Sequence, residues 1–162
     1  MLLPEEFVAF QAAAGGAGTG AEIVARYREV PRGPDPDIAQ KAADAWCAWE
    51  AAAISGNPND AAKGRWDDPV FRLRFMHVVT HYFAALGWVA MPLSGRAAEF
   101  GDLLGELLHS ALDLSAPVAT AWHLARFWSG ARLQILPGGL HSAVDVVGHV
   151  RAASDRLLKR LQ

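Results

Sequence analysis

The chain has a single cysteine, Cys47, and no apolar run long enough to span a bilayer before a charge interrupts it. One thiol excludes an intrachain disulfide and fits a reducing compartment; flanked by Trp46 and Trp49, it reads as a buried group rather than a nucleophile. An excess of charge of one sign is also missing. Fifteen basic against seventeen acidic residues leave a net charge of −2, which gives nucleic acid no electrostatic footprint. The cluster of Arg156, Lys159 and Arg160 suits the carboxyl end of a helix, where cations are favoured. The opening Met1-Leu2-Leu3-Pro4-Glu5-Glu6 has no basic segment ahead of an apolar run, so no secretory leader is expected. These absences point to a cytoplasmic protein with neither nucleic acid nor membrane as partner. A last absence concerns chemistry. The serines at 55, 94, 110, 115, 129, 142 and 154 all lie outside any Gly-x-Ser-x-Gly setting, the strained turn that exposes a nucleophile.

What is present suffices for a core. Of 162 residues, 52% are hydrophobic and 20% charged, which suits one domain or a small domain with an appendage. The first ninety or so residues read as helices. Residues 4–14 open on Pro-Glu-Glu and stop at Gly15-Gly16. Residues 21–29 form a short amphipathic piece closed by Pro31, Gly33, Pro34 and Pro36. Over residues 37–54, Ile38, Ala42, Ala45, Trp46, Trp49 and Ala53 recur along one helical face, and Gly56-Asn57-Pro58 follows. Asp68-Pro69 starts another helix through about residue 86. The Gly-Ala-Gly-Thr-Gly-Ala stretch at 16–21 loosely matches a dinucleotide fingerprint. A helical segment precedes it instead of the strand that mechanism needs, so it reads as a loop between helices.

The pattern changes after Trp88. Pro92, Ser94 and Gly95 mark a linker, and residues 96–103 suit a short helix. Residues 107–109 and 133–136 are strand candidates with a helical pattern at 116–128 between them, and a final helix is expected at 143–161. Strand, helix, strand implies parallel strands joined by a crossover. The expected organisation is a helical lobe over residues 1–95 and an α/β portion over 96–162, mostly helical overall.

Catalytic groups in parallel sheets collect at the carboxyl ends of strands. Asp113 follows the first strand candidate and His141 the second, so both are expected at one edge. There the carboxylate can hold one imidazole nitrogen and leave the other as a base. The same spacing also suits an Asp113 that caps the next helix and a His141 that lies in a surface loop. His77 and His81 have metal-ligand spacing, but Val78 stands between them and no third ligand is evident. No metal or other cofactor is expected, and His81 is expected to pack and hydrogen-bond beneath the helical lobe. Trp46, Trp49, Trp66, Phe71, Phe75, Tyr82 and Phe83 read chiefly as core, with an apolar pocket as the alternative.

Several segments carry a resemblance: Ala45-Trp46-Cys47-Ala48-Trp49-Glu50, Phe71-Arg72-Leu73-Arg74-Phe75 and Val79-Thr80-His81-Tyr82-Phe83. It continues in Leu112-Asp113-Leu114-Ser115-Ala116-Pro117, Thr120-Ala121-Trp122 and Gly139-Leu140-His141-Ser142. With these the chain resembles the cap and carboxyl-terminal part of the proline iminopeptidase family of α/β-hydrolases. The resemblance implies removal of an unblocked amino-terminal proline from peptides by a Ser-Asp-His acyl-enzyme mechanism. Asp113 then matches the triad acid and His141 the general base. Glu50 matches a cap glutamate that binds the substrate's amino group, with Trp49 and Tyr82 beside the proline. Val79 stands where the family has a further glutamate, and His109-Ser110-Ala111-Leu112-Asp113 replaces its His-Gly-Arg-x-Asp. Without nucleophile or oxyanion hole, the chain alone is expected to be inactive. Its expected partner is a second copy or a separate amino-terminal hydrolase half. The competing class is a non-catalytic interaction or ligand-binding module derived from the cap.

Overall fold

Pro4 at the first helical position, backed by Glu5 and Glu6, starts helix α1 (Pro4–Ala13). Proline needs no N–H partner there, and acids suit the positive helix end. The computed structural model describes residues 3–55, 64–89, 93–138, 141 and 146–162. The expected stop at Gly15 and Gly16 is met. Gly15 takes φ +83°, its N–H bonds the Ala12 carbonyl at 3.0 Å, and the Gly16 N–H bonds the Gln11 carbonyl at 2.9 Å. This paired, left-handed ending consumes carbonyls the helix would otherwise leave open. Helix α2 (Gly20–Glu29) follows at once. The Thr19 hydroxyl accepts from the Glu22 N–H at 3.3 Å, and the Glu22 carboxylate accepts from the Thr19 N–H at 2.8 Å. The glycines at 16–20 thus join two helices.

Helix α3 (Pro36–Ser55) is capped by the Asp35 carboxylate, which accepts from the Asp37 N–H at 2.9 Å. Its buried stripe runs through Ala39, Ala42, Ala43, Trp46, Cys47 and Ala53. Ile38, expected on that face, is 55% exposed. The stripe is rotated toward small alanines, which let the neighbouring helices approach closely. Helix α4 (Pro69–Ala84) starts with the Asp68 carboxylate accepting from the Val70 N–H at 2.9 Å. It stops short of residue 86 because Leu86, Gly87 and Trp88 take φ of 49°, 63° and 55°, outside the helical region.

Helix α3 packs against α1 and α4, and α2 packs against α4. At their centre the Tyr27 ring lies 4.8 Å from Phe10 and 4.9 Å edge-on from Trp46. The Tyr27 hydroxyl donates to the Phe10 carbonyl at 2.7 Å. That carbonyl is among the last four of α1, which have no partner within their own helix.

Residues Met1–Trp88 form one compact unit and Val89–Gln162 another. In the second, a 3₁₀ stretch, Leu93–Phe100, takes the place of the expected helix at 96–103. Strands β1 (Gly105–Ser110) and β2 (Ala131–Leu136) pair in parallel, from Gly105 opposite Ala131 to Ser110 opposite Leu136. Helix α5 (Val118–Phe127) is the crossover, and helix α6 (Val146–Arg160) packs on β1. Glu106 and Gln134 reach α6, where Arg156 donates to them at 2.8 and 3.2 Å. On the other face of β1, Gly105 admits the Trp128 ring, and the Trp128 Nε1–H donates to the Leu103 carbonyl at 2.8 Å. The described residues are therefore mostly helical, with a small two-strand parallel sheet in the second unit. The readings made at 56–58, Pro92, 139–140 and 142–145 fall outside the described residues.

Candidate active site

Parallel strands that end in register deliver the chain to one edge twice. Asp113 lies just beyond β1 and His141 just beyond β2, and the Asp113 Oδ2 is 3.1 Å from the His141 Nδ1. A carboxylate oxygen only accepts, so Nδ1 carries the hydrogen, and in the neutral ring the lone pair is then on Nε2. The Asp113 side chain is 6% exposed and that of His141 is 47% exposed. The orienting acid is covered while the imidazole stays reachable.

Asp113 does not cap α5 as the simpler reading required, since the N-cap Pro117 has no side-chain cap bond, but it holds the turn ahead of that helix. Its Oδ1 accepts the Ala116 N–H at 2.8 Å, bracing the turn that leads into α5. The other side of this residue is held as well, because the His109 Nε2 lies 2.6 Å from the Ala116 carbonyl. A carbonyl also only accepts, so the His109 Nε2 bears hydrogen. His109 had no assigned role in the sequence reading. Its position at the end of β1, four residues before Asp113, was the signal available.

In the first unit, Glu50 lies on α3 and accepts the Trp46 Nε1–H at 3.2 Å. It lines a hollow of about 180 Å³ together with Trp49, Phe7, Phe10 and Phe83. Phe7 and Phe10 come from α1, and their pairing with Trp49, far along the chain, has no local sequence signature. Tyr82 is not part of this wall. It is 52% exposed, with its ring 4.9 Å edge-on from Trp88. Trp66, Phe71 and Phe75 pack on one another near the start of α4 instead. His81, expected beneath the lobe, is exposed, with its ring 5.1 Å from Trp88. The short reach from the last turn of α4 to the left-handed turn brings those rings together at the surface.

Cys47 is 3% exposed, and burial pushes its thiol up to about 12. A thiol so protonated is a poor nucleophile. Among the described residues, no group of three or more His, Cys, Asp or Glu side chains is poised for a metal ion. No described helix is long and apolar enough to cross a membrane.

No family model matches the chain. It is similar to a proline iminopeptidase of Xanthomonas citri, at 29% identity over 127 residues, 77% of this chain and 41% of that protein. A probable proline iminopeptidase of Streptomyces coelicolor is 28% identical over 152 residues, 88% of this chain and 45% of that one. A proline iminopeptidase of Xylella fastidiosa is 32% identical over 106 residues, 64% and 34% of the two chains. The chain resembles proline iminopeptidases and spans less than half the length of these relatives.

Proposed function

We propose that this chain supplies the acid, the base and the substrate-binding helices of a prolyl aminopeptidase-like serine hydrolase. The observation that carries the reading is the Asp113–His141 hydrogen bond at the ends of two parallel strands. In it the Asp113 carboxylate fixes the imidazole tautomer, and the His141 Nε2 takes the proton from a serine hydroxyl. The serine attacks the carbonyl of the amino-terminal residue, and the same nitrogen then protonates the departing amine. Water hydrolyses the resulting acyl-enzyme by the reverse use of the base. No serine of the 162 residues lies in Gly-x-Ser-x-Gly, so nucleophile and oxyanion hole come from polypeptide outside them.

The helices of the first unit act in this reading as the cap. Glu50 binds the substrate's secondary ammonium, which out of water needs a charged hydrogen-bonding partner. Trp49 lies against the proline ring, and Tyr82 contacts substrate from the exposed side of α4. A hollow walled by aromatic rings and one carboxylate supports the Glu50 and Trp49 assignments, and Tyr82 lies outside it.

The test pairs the chain with the portion of the Xanthomonas citri relative that the similarity leaves uncovered. The chain alone is expected to leave a prolyl chromogenic amide intact, and the mixture to cleave it. Asp113→Asn in the mixture should lower turnover by about four orders of magnitude, since the wrong imidazole tautomer is then favoured. Cleavage by the mixture that survives His141→Ala would remove the triad assignment. Turnover by the repurified chain alone, lost in His141→Ala, would overturn the need for an outside nucleophile.

A further inference from the structure

Helix α6 turns one face to β1, where Ala153 is buried and Arg156 reaches Glu106. Its other face is apolar and open. Val147, Val150, Leu158 and Leu161 are each half or more exposed, and Ser154 is exposed in their midst. Leu161 lies just past the last helical residue, with its N–H on the Leu158 carbonyl at 3.3 Å, so it extends the same line. Steps of three, four and seven residues keep all five side chains on one stripe. The spacing is also symmetric. Val150 and Leu158 each lie four residues from Ser154, and Val147 and Leu161 each lie seven. A stripe that reads alike outward from its middle suits a two-fold axis, because a symmetric dimer presents the same patch from both copies.

We propose that this face docks on the same face of a second copy, with the two α6 helices antiparallel and the axis at Ser154. Val150 then meets Leu158 of the second copy, and Val147 meets its Leu161. A small residue at the crossing lets the helices approach closely. The Ser154 hydroxyl already donates to the Val150 carbonyl at 3.0 Å, so covering it strands no donor. Charge fixes the direction. Arg151 and Asp155 are exposed on one flank of the stripe, and among the described residues neither is in an ion pair. An antiparallel pair brings like flanks together, so Arg151 of each copy faces Asp155 of the other. A parallel pair would set that charged flank against the side of Leu157 instead. The contact is one helix face about 22 Å long, which suits a reversible pair formed at high micromolar concentration. Because the stripe faces away from β1, a chain joined to a nucleophile-bearing half can use it as the free chain does.

Disulfide crosslinking of the full chain reads this arrangement apart from any other mode of association. The native Cys47 is buried and stays silent while the chain is folded. In Ser154→Cys the two new thiols meet at the axis, so a mild oxidant should join the copies. Ala152→Cys, exposed on α6 but off the stripe, should crosslink at least about tenfold less. Adding Arg151→Glu to Ser154→Cys sets like charges face to face and should cut the yield roughly fivefold. Adding Asp155→Arg as well should restore it. All these side chains lie at the surface, so the fold is expected to survive, and circular dichroism checks that it does. Equal yields at 152 and 154, or no crosslink at 154 at high micromolar concentration, overturn the proposal. A yield indifferent to Arg151→Glu, or one that Asp155→Arg fails to restore, overturns it too.

Discussion

At Ala116 the backbone of a single residue is gripped on both sides, by His109 at its carbonyl and by Asp113 at its N–H. The oxygen of Asp113 left over is the one that meets His141, so the grip decides where that oxygen points. Breaking it with His109→Ala should let the Asp113 loop drift and the His141 ring lose its fixed tautomer. Nitrogen-15 shifts of the His141 ring read this without any turnover: one Nδ1–H form in the unmodified chain, a tautomer mixture in the variant. His109→Gln, whose amide can donate to the same carbonyl, should restore the single form. An unchanged spectrum in folded His109→Ala would reduce His109 to packing. Cys47 gives a second residue-scale expectation. With its thiol held near 12 by burial, it should resist a thiol reagent at pH 8 until denaturant opens the unit. Fast labelling of native chain would contradict the burial described.

Helices and strands were largely legible because their signals are local. Pro-Glu-Glu, Gly15-Gly16 and Asp68-Pro69 each act within one turn, and the two apolar runs flanking residues 116–128 became a parallel pair with a crossover helix. Groups that meet across the chain were not legible. The Tyr27 hydroxyl that closes the end of α1 lies 17 residues from the Phe10 carbonyl it serves. The stripe of α3 was misjudged at Ile38 because alanine carries a weak periodic signal yet packs best where helices touch. Asp113 and His141 were placed by their order after the strands, whereas the hold on Ala116 needs the folded loop. Two substitutions test these contacts by urea unfolding. Tyr27→Phe should cost about 1–2 kcal/mol, since it leaves a covered carbonyl without its donor. Gly130→Ala should cost more, because a Cβ there runs into the Leu103 backbone carbonyl, which cannot swing aside as a side chain can. Equal stability of Gly130→Ala and the unmodified chain would mean the turn before β2 has room to spare.

Across the whole molecule, apolar burial is unevenly shared. The first unit closes around Phe10, Ile23, Tyr27, Trp46 and Met76. Among the described residues of the second, the buried apolar side chains are Ala97, Leu136 and Ala153, while Leu103, Leu112, Phe127, Ile135 and Val147 are exposed. A two-strand sheet with so little covered area needs a further layer or neighbour. Light scattering at high micromolar concentration is therefore expected to find the chain self-associated, and a matching nucleophile-bearing half to convert it to a defined heterodimer. A monodisperse monomer would mean that the sheet closes in another way. Acid should loosen the second unit first. The Arg156 guanidinium beside Glu106 holds that carboxyl below its ordinary range. A folded value below the unfolded one gives stability that is complete above about pH 5 and falls away as the pH drops through the folded value. Glu106→Gln should flatten that acid limb in a pH series of unfolding midpoints, and an unaltered limb would assign it to other carboxylates.

The division at Trp88 and Val89 has one more consequence. On the reading proposed here, the substrate-binding Glu50 belongs to one unit, and the proton-handling Asp113 and His141 belong to the other. Recognition and proton transfer can then change independently. Substitutions around Glu50 on α3 can retarget the protein while the base keeps its tautomer, and the helical unit becomes an exchangeable part that evolution or an engineer can recombine with other strand–helix–strand partners.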